Sequence, residues 1–583
     1  MEDSSALSED LALGKKFNHS KRFWAIMATL SVTGILSALE NTVVTTALPY
    51  IVQQLDLGDN YIWVTNVFFL TGYAVLQCPG NVVNAHSYLH SAAVQPFFGQ
   101  LANIFGRRYV TMAIVAFFTL GSGICGGATN GAMLIAGRAV QGIGAGGINI
   151  IIDIIVSDLV PLRERGNYMA IVLLVYTVGT TLGPWVGGVI VANTSWRWVF
   201  WINLPVGGAA LVMIFLFLQV RYNKEMPFAQ KMKRIDYGGN LILVGATVSV
   251  LYALTYGGTK YPWSSANVVA PLVIGLLGLG LFMWFETTKW VKEPVVPPRL
   301  FANRTSCTIF AITFLNSALL YWVLFFLPVY FQAVLGSSAA RAGVQILPSV
   351  LIAIPGAIAA VLLLARFGKY KPLHMVGFAI CTIGLGLFTL FDPETTTAEW
   401  VIYQAITAAG SGFVLNTLLP SVQAHFEEKD QAATTAAWSF MRAFGSIWGV
   451  AIPAAIFNNR FSELDGAITD PRARAMFEGG GVAYERAQAE FIRSFPSSTR
   501  EQIINVYSGS LQRVWQISII FSGLSFLLVF FEKQIKLRTN LETEFGIDER
   551  SKKGDVEKGT ESNVNGLEKS KVEPVSVRDA STG

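Results

Sequence analysis

Two charged residues lie inside apolar stretches of the sequence, and one of them is a carboxyl group that could bind a proton. Glu40 lies within the apolar stretch 24–48, and Arg138 lies within the stretch 132–156. A charged side chain is costly in such surroundings and is therefore functional by default. Because burial favours the neutral form of a carboxyl group, Glu40 could bind and release a proton near neutral pH. Gln141 lies three residues after Arg138, so both side chains project from one helix face and can share a polar network.

Each of these charges also has a structural interpretation. Glu40 could be a hydrogen-bonded contact between two helices, and Arg138 could be held by backbone carbonyl groups. Arg442 stands between pairs of apolar residues in a later stretch. It is the candidate for a second-half buried charge, although a packing role explains it nearly as well. We expect Glu40 to bind the proton, and Arg138 and Gln141 to form a functional buried polar pair.

One apolar stretch carries a series of small residues around a proline: Gly179, Gly183, Pro184, Gly187 and Gly188. Three of the glycines recur every four residues and therefore stack on one helix face, which offers a smooth surface to a neighbouring helix. The proline removes one backbone hydrogen bond and permits a kink. Ordinary helix packing explains any single pair of such glycines, but three in register with an embedded proline form a more specific pattern.

Another group combines glycines with charges at the ends of apolar stretches. Gly99 and Gly106 allow a tight turn and close helix approach, and Arg107 and Arg108 follow directly. An ordinary basic loop explains the arginines but not the glycine spacing. Ion pairs among these charges could form and break during a conformational cycle, so we interpret the group as a gate. Its candidate residues are Gly99, Asn103, Gly106, Arg107, Arg108, Asp158, Arg163 and Arg165.

Composition identifies the medium around these residues. Of 583 residues, 52% are apolar and only 14% are charged, with a mean hydropathy of +0.47, whereas a soluble protein carries roughly 25% charged residues. Lipid is therefore the main solvent, and the predicted class is an all-α polytopic membrane protein. The four cysteines and five histidines show no metal-ligand, disulfide or catalytic spacing. We expect no metal site, no cofactor and no enzymatic activity.

Apolar stretches long enough to cross a hydrocarbon layer, about 20 residues each, predict fourteen spans. Their approximate bounds are 24–48, 61–101, 109–128, 132–156, 168–191, 199–219, 238–256, 267–286, 307–333, 343–364, 374–391, 399–419, 434–457 and 514–531. Lys and Arg concentrate in the loops on the N-terminal side, whereas the opposite short loops 53–60, 126–131 and 392–399 contain none. The positive-inside rule therefore predicts that both termini are cytoplasmic.

The spans divide the chain into five predicted segments. These are a cytoplasmic tail at 1–22, a six-helix bundle at 23–220, a linker with two extra spans at 221–298, a second six-helix bundle at 299–535, and a polar cytoplasmic tail at 536–583 whose composition predicts disorder. Within the second bundle, 458–513 is predicted to be a long extracellular loop. Asn193 begins a glycosylation sequon in an outer loop, but it lies close to the membrane.

Span 2 has an unusual composition. Residues 61–71 are apolar, but eleven helical residues rise only about 16 Å, which is too short to cross a membrane. Apolar sequence resumes at Ser91, and the intervening residues 72–90 are polar and include Pro79. We interpret 72–90 as an insertion, such as a retained short intron. The alternative is that span 2 ends near Cys78 and a cytoplasmic loop follows.

Several of these motifs resemble the major facilitator superfamily. Gly99–Arg108 is similar to its signature loop between spans 2 and 3, with Asn103 in place of the usual aspartate. Leu134–Gly147 is similar to the span-4 pattern, whose arginine is associated with proton coupling, so the resemblance implies proton coupling at Arg138 and Gln141 in addition to Glu40. Gly179–Gly188 is similar to the pattern of the antiporter branches and indicates export. Leu39–Pro49 resembles the span-1 signature of fourteen-span drug:proton antiporters, with Glu40 replacing the usual aspartate.

The resemblance implies a major facilitator fold with two six-helix bundles and two additional spans, 14 transmembrane helices in all. The implied function is proton-coupled efflux of amphipathic or hydrophobic organic compounds by alternating access, of the fungal multidrug or mycotoxin type. An importer such as a siderophore transporter is the alternative. The expected partners are a small organic substrate and the lipid bilayer, and no nucleic acid is expected. We expect the protein to function as a monomer in the plasma membrane, with the vacuolar membrane as the alternative. A proton gradient would be the driving force.

Overall fold

A computed structural model describes residues 20–55, 95–219, 227–257, 261–427, 430–477, 482–535 and 537. Throughout these residues the secondary structure is helical, and the β-structure among them is limited to an isolated bridge between Gly257 and Tyr261. A helix satisfies its backbone N–H and C=O groups within its own segment, which is what a chain in lipid requires.

The first half and the linker contain ten described helices. They are α1 (Lys21–Leu55), α2 (Gln95–Phe105), α3 (Arg107–Gly126), α4 (Gly131–Leu159), α5 (Leu162–Asn193), α6 (Trp198–Trp201), α7 (Asn203–Phe217), α8 (Phe228–Met232), α9 (Tyr237–Tyr256) and α10 (Ala266–Glu286). α9 and α10 lie at the two predicted extra spans, and they pack closely on each other: a Cβ on Gly275 of α10 would stand 2.7 Å from the Ala246 carbonyl oxygen of α9.

The second half continues the same pattern of long helices joined by short turns. Its elements are a 3₁₀ turn (Pro298–Phe301), α11 (Arg304–Val329) with a π-helical end (Tyr330–Val334), α12 (Ala339–Gln345), α13 (Leu347–Phe367), α14 (Lys371–Phe388), α15 (Thr397–Leu415), α16 (Leu418–Gln423), α17 (Gln431–Leu464), a 3₁₀ turn (Asp465–Ala467), α18 (Pro471–Ala475), α19 (Val482–Glu485), α20 (Ala489–Arg493) and α21 (Ser497–Val529).

Twelve segments of the described residues are long and apolar enough to cross a membrane, and each coincides with a predicted span. α5, with 32 residues, is about 48 Å long and could also cross. Most of predicted span 2, including 72–90, lies outside the described residues, and α2 is its described end. The count of fourteen and the insertion therefore stay predictions, while the polytopic helical class is confirmed.

The segment 458–513 contains a good deal of helix. α17 continues into it as far as Leu464, α21 begins within it at Ser497, and α18 to α20 lie between them. Its aromatic rings pack together: the centroids of Phe461 and Phe477 are 5.3 Å apart, and those of Phe461 and Tyr507 are 5.0 Å apart. The segment is thus a packed unit on the second half. Its predicted extracellular position stays a prediction.

Glycines determine how closely the helices of the first half approach. A Cβ on Gly121 of α3 would stand 2.2 Å from the backbone nitrogen of Gln141 on α4, and one on Gly144 would stand 2.5 Å from the nitrogen of Phe118. Neither position has room for a side chain. The backbones of α3 and α4 therefore touch, as in membrane helices that associate through small residues.

The two halves meet at the end of the molecule that carries Gly106, called here the inner end. A Cβ on Gly99 of α2 would stand 2.7 Å from the Cβ of Ala436 on α17. A Cβ on Gly166 of α5 would stand 3.1 Å from the methyl groups of Val361 on α13. Because these contacts join a helix of each half, they close the space between the halves at this end.

Candidate functional site

Glu40 and Arg138 form a buried ion pair in the first half. The guanidinium Nη1 of Arg138, on α4, donates to Oε1 of Glu40, on α1. Their side chains are 2% and 0% exposed, so neither charge reaches solvent. A buried charge is tolerated only when paired and hydrogen-bonded. The pair joins residues 98 positions apart in the sequence.

Amide and hydroxyl groups complete this cluster. The same Nη1 of Arg138 donates to Oε1 of Gln141 over 2.7 Å, and Nε2 of Gln141 donates to Oγ of Ser122 over 2.7 Å. Nδ2 of Asn203, the first residue of α7, donates to Oε2 of Glu40 over 2.5 Å. All five side chains are buried. One carboxyl group therefore links three long helices, α1, α4 and α7.

The predicted contact between Arg138 and Gln141 is present, and the structure adds Asn203 and Ser122 to it. Asn203 belongs to the stretch Trp196–Pro205 at the start of span 6, where a polar side chain ahead of an apolar helix is the one available sequence signal. Ser122 has no such signal, because serine is common in membrane helices. Its role depends on the close approach of α3 and α4 at Gly121.

A second buried ion pair lies at the inner end. Nε of Arg107 donates to Oδ2 of Asp158 over 2.7 Å, and Nη1 of Arg107 donates to the Ala102 carbonyl oxygen over 2.8 Å. Gly106, with φ +86°, makes the turn from α2 to α3 that presents Arg107 inward. A positive φ at this point suits glycine, because in other residues the Cβ atom would clash with the backbone.

Arg165, near the start of α5, joins the two halves. Its Nη1 donates to Oε1 of Gln423 and, over 3.0 Å, to Oε1 of Gln431 in the second half. Its Nη2 donates to the carbonyl oxygen of Ser157 in the first half. Nε2 of Gln423 in turn donates to Oγ of Ser157 over 3.0 Å. The Arg165 side chain is buried, so this clamp is shielded from water.

Comparison with known proteins identifies the family of this fold. The family model described as Major Facilitator Superfamily matches residues 30–450, which is more than half of the chain. The chain belongs to the Major Facilitator Superfamily.

Curated relatives of this superfamily member come from fungi. The MFS-type transporter TwmF of Talaromyces wortmannii is 51% identical over 92% of this chain and 94% of its own length. The MFS-type efflux transporter ffsH of Aspergillus flavipes is 46% identical over 96% of this chain and 93% of its own. The MFS-type efflux transporter phmH of Phaeosphaeria nodorum is 44% identical over 93% of this chain and 90% of its own length. These relatives confirm the family recognised from the motifs.

A solved structure supports the fold alone. The human organic anion transporter MFSD10 superposes with a TM-score of 0.52 at 14% identity, covering 88% of this chain and all of that chain. At such low identity the likeness concerns helix arrangement and not substrate. Two six-helix bundles with additional spans are consistent with it.

The remaining gate candidates of this major facilitator protein differ in their surroundings. Asn103, in place of the family's usual aspartate, is partly buried, and its Oδ1 has no hydrogen-bond partner in the described part of the chain. The loop nevertheless keeps a buried ion pair through Arg107 and Asp158. Arg108 donates to the Phe215 carbonyl oxygen over 2.6 Å and stands over the Phe215 ring. Arg163 lies in the first turn of α5, and its side chain is not among those that the structure describes.

The glycine series lies in α5, which runs as one helix through Pro184 and Gly188. Gly179, Gly183 and Gly187 are buried. A Cβ on Gly179 would stand 2.9 Å from the Cβ of Ala38 on α1. The predicted smooth surface therefore receives α1, the helix that carries Glu40. Asn193 ends α5, is exposed, and donates to the Val189 carbonyl oxygen over 2.9 Å.

Arg442, the predicted second-half charge, faces the first half. It lies on α17 with its guanidinium carbon 4.7 Å from the centroid of the Trp438 ring. Its charge acts on Asp153 of α4, so acidic and basic side chains oppose each other across the interface. Nearby on α17, the rings of Phe440 and Phe444 are stacked, with centroids 5.6 Å apart. This combination of charge and aromatic surface suits a ligand with both polar and apolar parts.

Proposed function

We propose that this protein is an efflux transporter that exports amphipathic or hydrophobic organic compounds in exchange for protons. Membership in the superfamily and relatives named efflux transporters support the export of small molecules. The glycine series that receives α1 supports the antiporter branch. We further propose a monomer in the plasma membrane with both termini cytoplasmic, in agreement with the distribution of Lys and Arg.

The buried cluster around Glu40 is the observation that carries the proposal of proton coupling. While ionised, Glu40 accepts from Arg138 and Asn203 at the same time. A proton on Glu40 removes the charge that holds Arg138, which then keeps Gln141 as a partner. The contacts of α1 with α4 and α7 weaken together, so one proton can alter the relative position of three helices. A helix rearrangement is the event that alternating access requires.

The inner clamp supplies the second part of the cycle. With Arg165 bound to Gln423 and Gln431, the predicted cytoplasmic side is closed. Loading of substrate from the cytoplasm requires that these hydrogen bonds break and that the halves rock apart. We therefore assign the described conformation to the part of the cycle in which the inner end is shut.

The aromatic residues of the second half support an amphipathic substrate. Phe314 of α11 lies near Phe444 and Trp448 of α17, with ring centroids 5.9 and 6.4 Å from that of Phe314. The indole Nε1 of Trp448 is buried and has no hydrogen-bond partner among the described residues. An apolar surface with an unused donor suits a hydrophobic compound that carries a carbonyl or ether oxygen.

Efflux measurements test the proposal. Cells that express the full chain are loaded with a panel of fluorescent or radiolabelled hydrophobic compounds, and retention is followed with and without a protonophore. We expect export of some compounds and its loss on protonophore addition. The Glu40→Gln variant should abolish proton-driven export while still binding substrate, because glutamine keeps hydrogen bonds but cannot release a proton.

Glu463→Gln is the matched control, since Glu463 is exposed and its ion pair in the described part of the chain is a local one, with Arg460 three residues before it. It should export normally. Export that persists with a protonophore would remove proton coupling, and normal proton-driven export by Glu40→Gln would remove Glu40 from the mechanism. Accumulation of ferric siderophores in place of export would favour the importer alternative.

A further inference from the structure

The two extra spans meet the first half at a buried pair of carboxyl groups. Asp236 immediately precedes α9, and Glu286 is the last residue of α10. They are 8% and 4% exposed. A Cβ on Gly239 would stand 2.0 Å from Oδ2 of Asp236 and 2.6 Å from Oε1 of Glu286. Both carboxyl groups therefore crowd the same point, and only glycine at position 239 leaves room for them.

The usual partners of a buried carboxylate are missing at this point. Oδ1 of Asp236 accepts the backbone N–H of Gly239 over 2.8 Å, but Oδ2 of Asp236 and both oxygens of Glu286 have no hydrogen bond of regular geometry within the described residues. The N–H groups of Val295 and Val296 face Glu286, and Asp236 is the described charged group that acts on it. Among the described residues, no basic side chain contributes to the charge environment of Glu286.

Elementary electrostatics then determines the protonation of the pair. Two adjacent buried carboxyl groups cannot both be ionised without a large cost, because like charges repel and burial removes their hydration. Two carboxylates also cannot hydrogen-bond to each other, whereas a carboxylic acid donates to a carboxylate. One proton between Oδ2 of Asp236 and an oxygen of Glu286 satisfies two of the three orphaned oxygens, and the N–H groups of Val295 and Val296 face the Glu286 carboxyl group.

The pair adjoins the inner gate through Gln100 of α2. Oε1 of Gln100 accepts from the Asp236 N–H over 3.4 Å and from Nδ2 of Asn240 over 3.3 Å. Nε2 of Gln100 donates to the Glu293 carbonyl oxygen over 2.7 Å. Gln100 follows Gly99, where α2 touches α17 of the second half. The joint between the extra spans and α2 is therefore one residue from a contact between the halves.

We propose that Asp236 and Glu286 form a proton-binding site whose shared proton docks the two extra spans on α2. The proton comes from water at the inner end. Its loss leaves two buried negative charges, which repel each other and separate the end of α10 from the start of α9. Arg234 and Glu293 form an ion pair in the same joint, so Arg234 already has its own acidic partner. The site is independent of Glu40 and does not require that export occurs.

Infrared difference spectroscopy of the purified full chain in lipid nanodiscs tests the proposal directly. The C=O stretch of a protonated buried carboxyl group is separate from that of a carboxylate and can be followed as pH is raised. We expect such a band at neutral pH that is lost in Glu286→Gln and retained in Glu293→Gln and Glu40→Gln. Retention in Glu40→Gln separates this site from the proposed transport mechanism.

A second measurement examines docking. Amide hydrogen exchange of residues 286–297, corrected for the intrinsic effect of pH, should increase stepwise in the wild type at the pH where the band disappears. Glu286→Gln should show no step, because glutamine is neutral at every pH. If that variant does not fold, Asp236→Asn is used, and the band must shift because its frequency depends on the hydrogen-bond partner. A protonated-carboxyl spectrum that neither variant alters would overturn the proposal.

Discussion

Substitution of Arg165 should open the inner end of the transporter. In the closed arrangement Arg165 donates to Gln423 and Gln431 of the second half. Its bonds to the carbonyl oxygens of Ser157 and Val160 stay within the first half. The hydrogen bonds inside the first half are present in both the closed and the open state, so they do not contribute to the free-energy difference between these states. Arg165→Ala therefore removes two hydrogen bonds that favour the closed state.

The magnitude follows from the charge of the donor. A hydrogen bond to a charged group contributes about 1.5–3 kcal/mol, so the two bonds across the interface favour closure by about 3–6 kcal/mol. Each 1.4 kcal/mol is a factor of ten, and the closed-to-open ratio should fall by about two to four powers of ten. The bond from Gln423 to Ser157 remains, so the halves keep one polar contact.

Distances between spin labels report this equilibrium. Tyr109 at the start of α3 and Phe367 at the end of α13 are 52% and 60% exposed, and each lies at the inner end of one half. In a background without the native cysteines, labelled Tyr109→Cys/Phe367→Cys protein should show one dominant distance. With Arg165→Ala a second, longer distance should appear and account for a large share of the population.

Lys371→Ala is the matched control. The Nζ of Lys371 donates to the carbonyl oxygens of Phe530 over 3.0 Å and Glu532 over 2.7 Å, so this basic residue also makes two hydrogen bonds near the same end, but within one half. It should leave the distance distribution unchanged. An Arg165→Ala distribution that matches the wild type would refute the assignment of Arg165 as a clamp, as would an equal effect of Lys371→Ala.

Three further substitutions test the packing that positions the site, each by thermal unfolding of detergent-purified protein. Asp158→Ala removes the carboxylate that pairs with the buried Arg107 guanidinium and should lower the free energy of unfolding by about 3–5 kcal/mol; an unchanged midpoint would mean that the ion pair is not formed. Gly121→Ala should lower the free energy of unfolding by about 1–3 kcal/mol, because the added methyl group overpacks α3 against α4. Gly245→Ala is the control and should be tolerated, since nothing lies within 4 Å of its added Cβ. Equal unfolding midpoints for the two variants would contradict the close approach of α3 and α4. Gly368→Ala should cost about 1–2 kcal/mol because φ there is +65°, so a stabilised variant would contradict this backbone conformation.

The helices could be predicted from the sequence with considerable accuracy. Twelve predicted spans coincide with helices able to cross a membrane, and Gly106 marks a turn that the sequence also indicated. Each span is a local property, since an apolar run in lipid must satisfy its own backbone. The helical content of 458–513 was less visible, because its mixed charged and aromatic sequence acquires order by packing on α17 and α21.

The contacts between side chains could be predicted only where they are local. Gln141 follows Arg138 by one helical turn, and their hydrogen bond was foreseeable from that spacing. The pairing of Arg107 with Asp158 was not foreseeable, because the two residues lie 51 positions apart in the sequence. For the same reason Asn203 had no assigned role and Asp236 was not associated with Glu286.

The sequence by itself determined the medium, the helices and the identity of the charges that this transporter buries. Apolar runs of about 20 residues form helices in lipid, so Glu40 and Arg138 are conspicuous in them without any knowledge of the fold. Tertiary structure alone decided which charges meet, since that depends on how each helix is rotated and how closely small residues such as Gly121 let backbones approach. It placed Asn203 on Glu40 and left Glu286 beside Asp236 because helices far apart in sequence pack together.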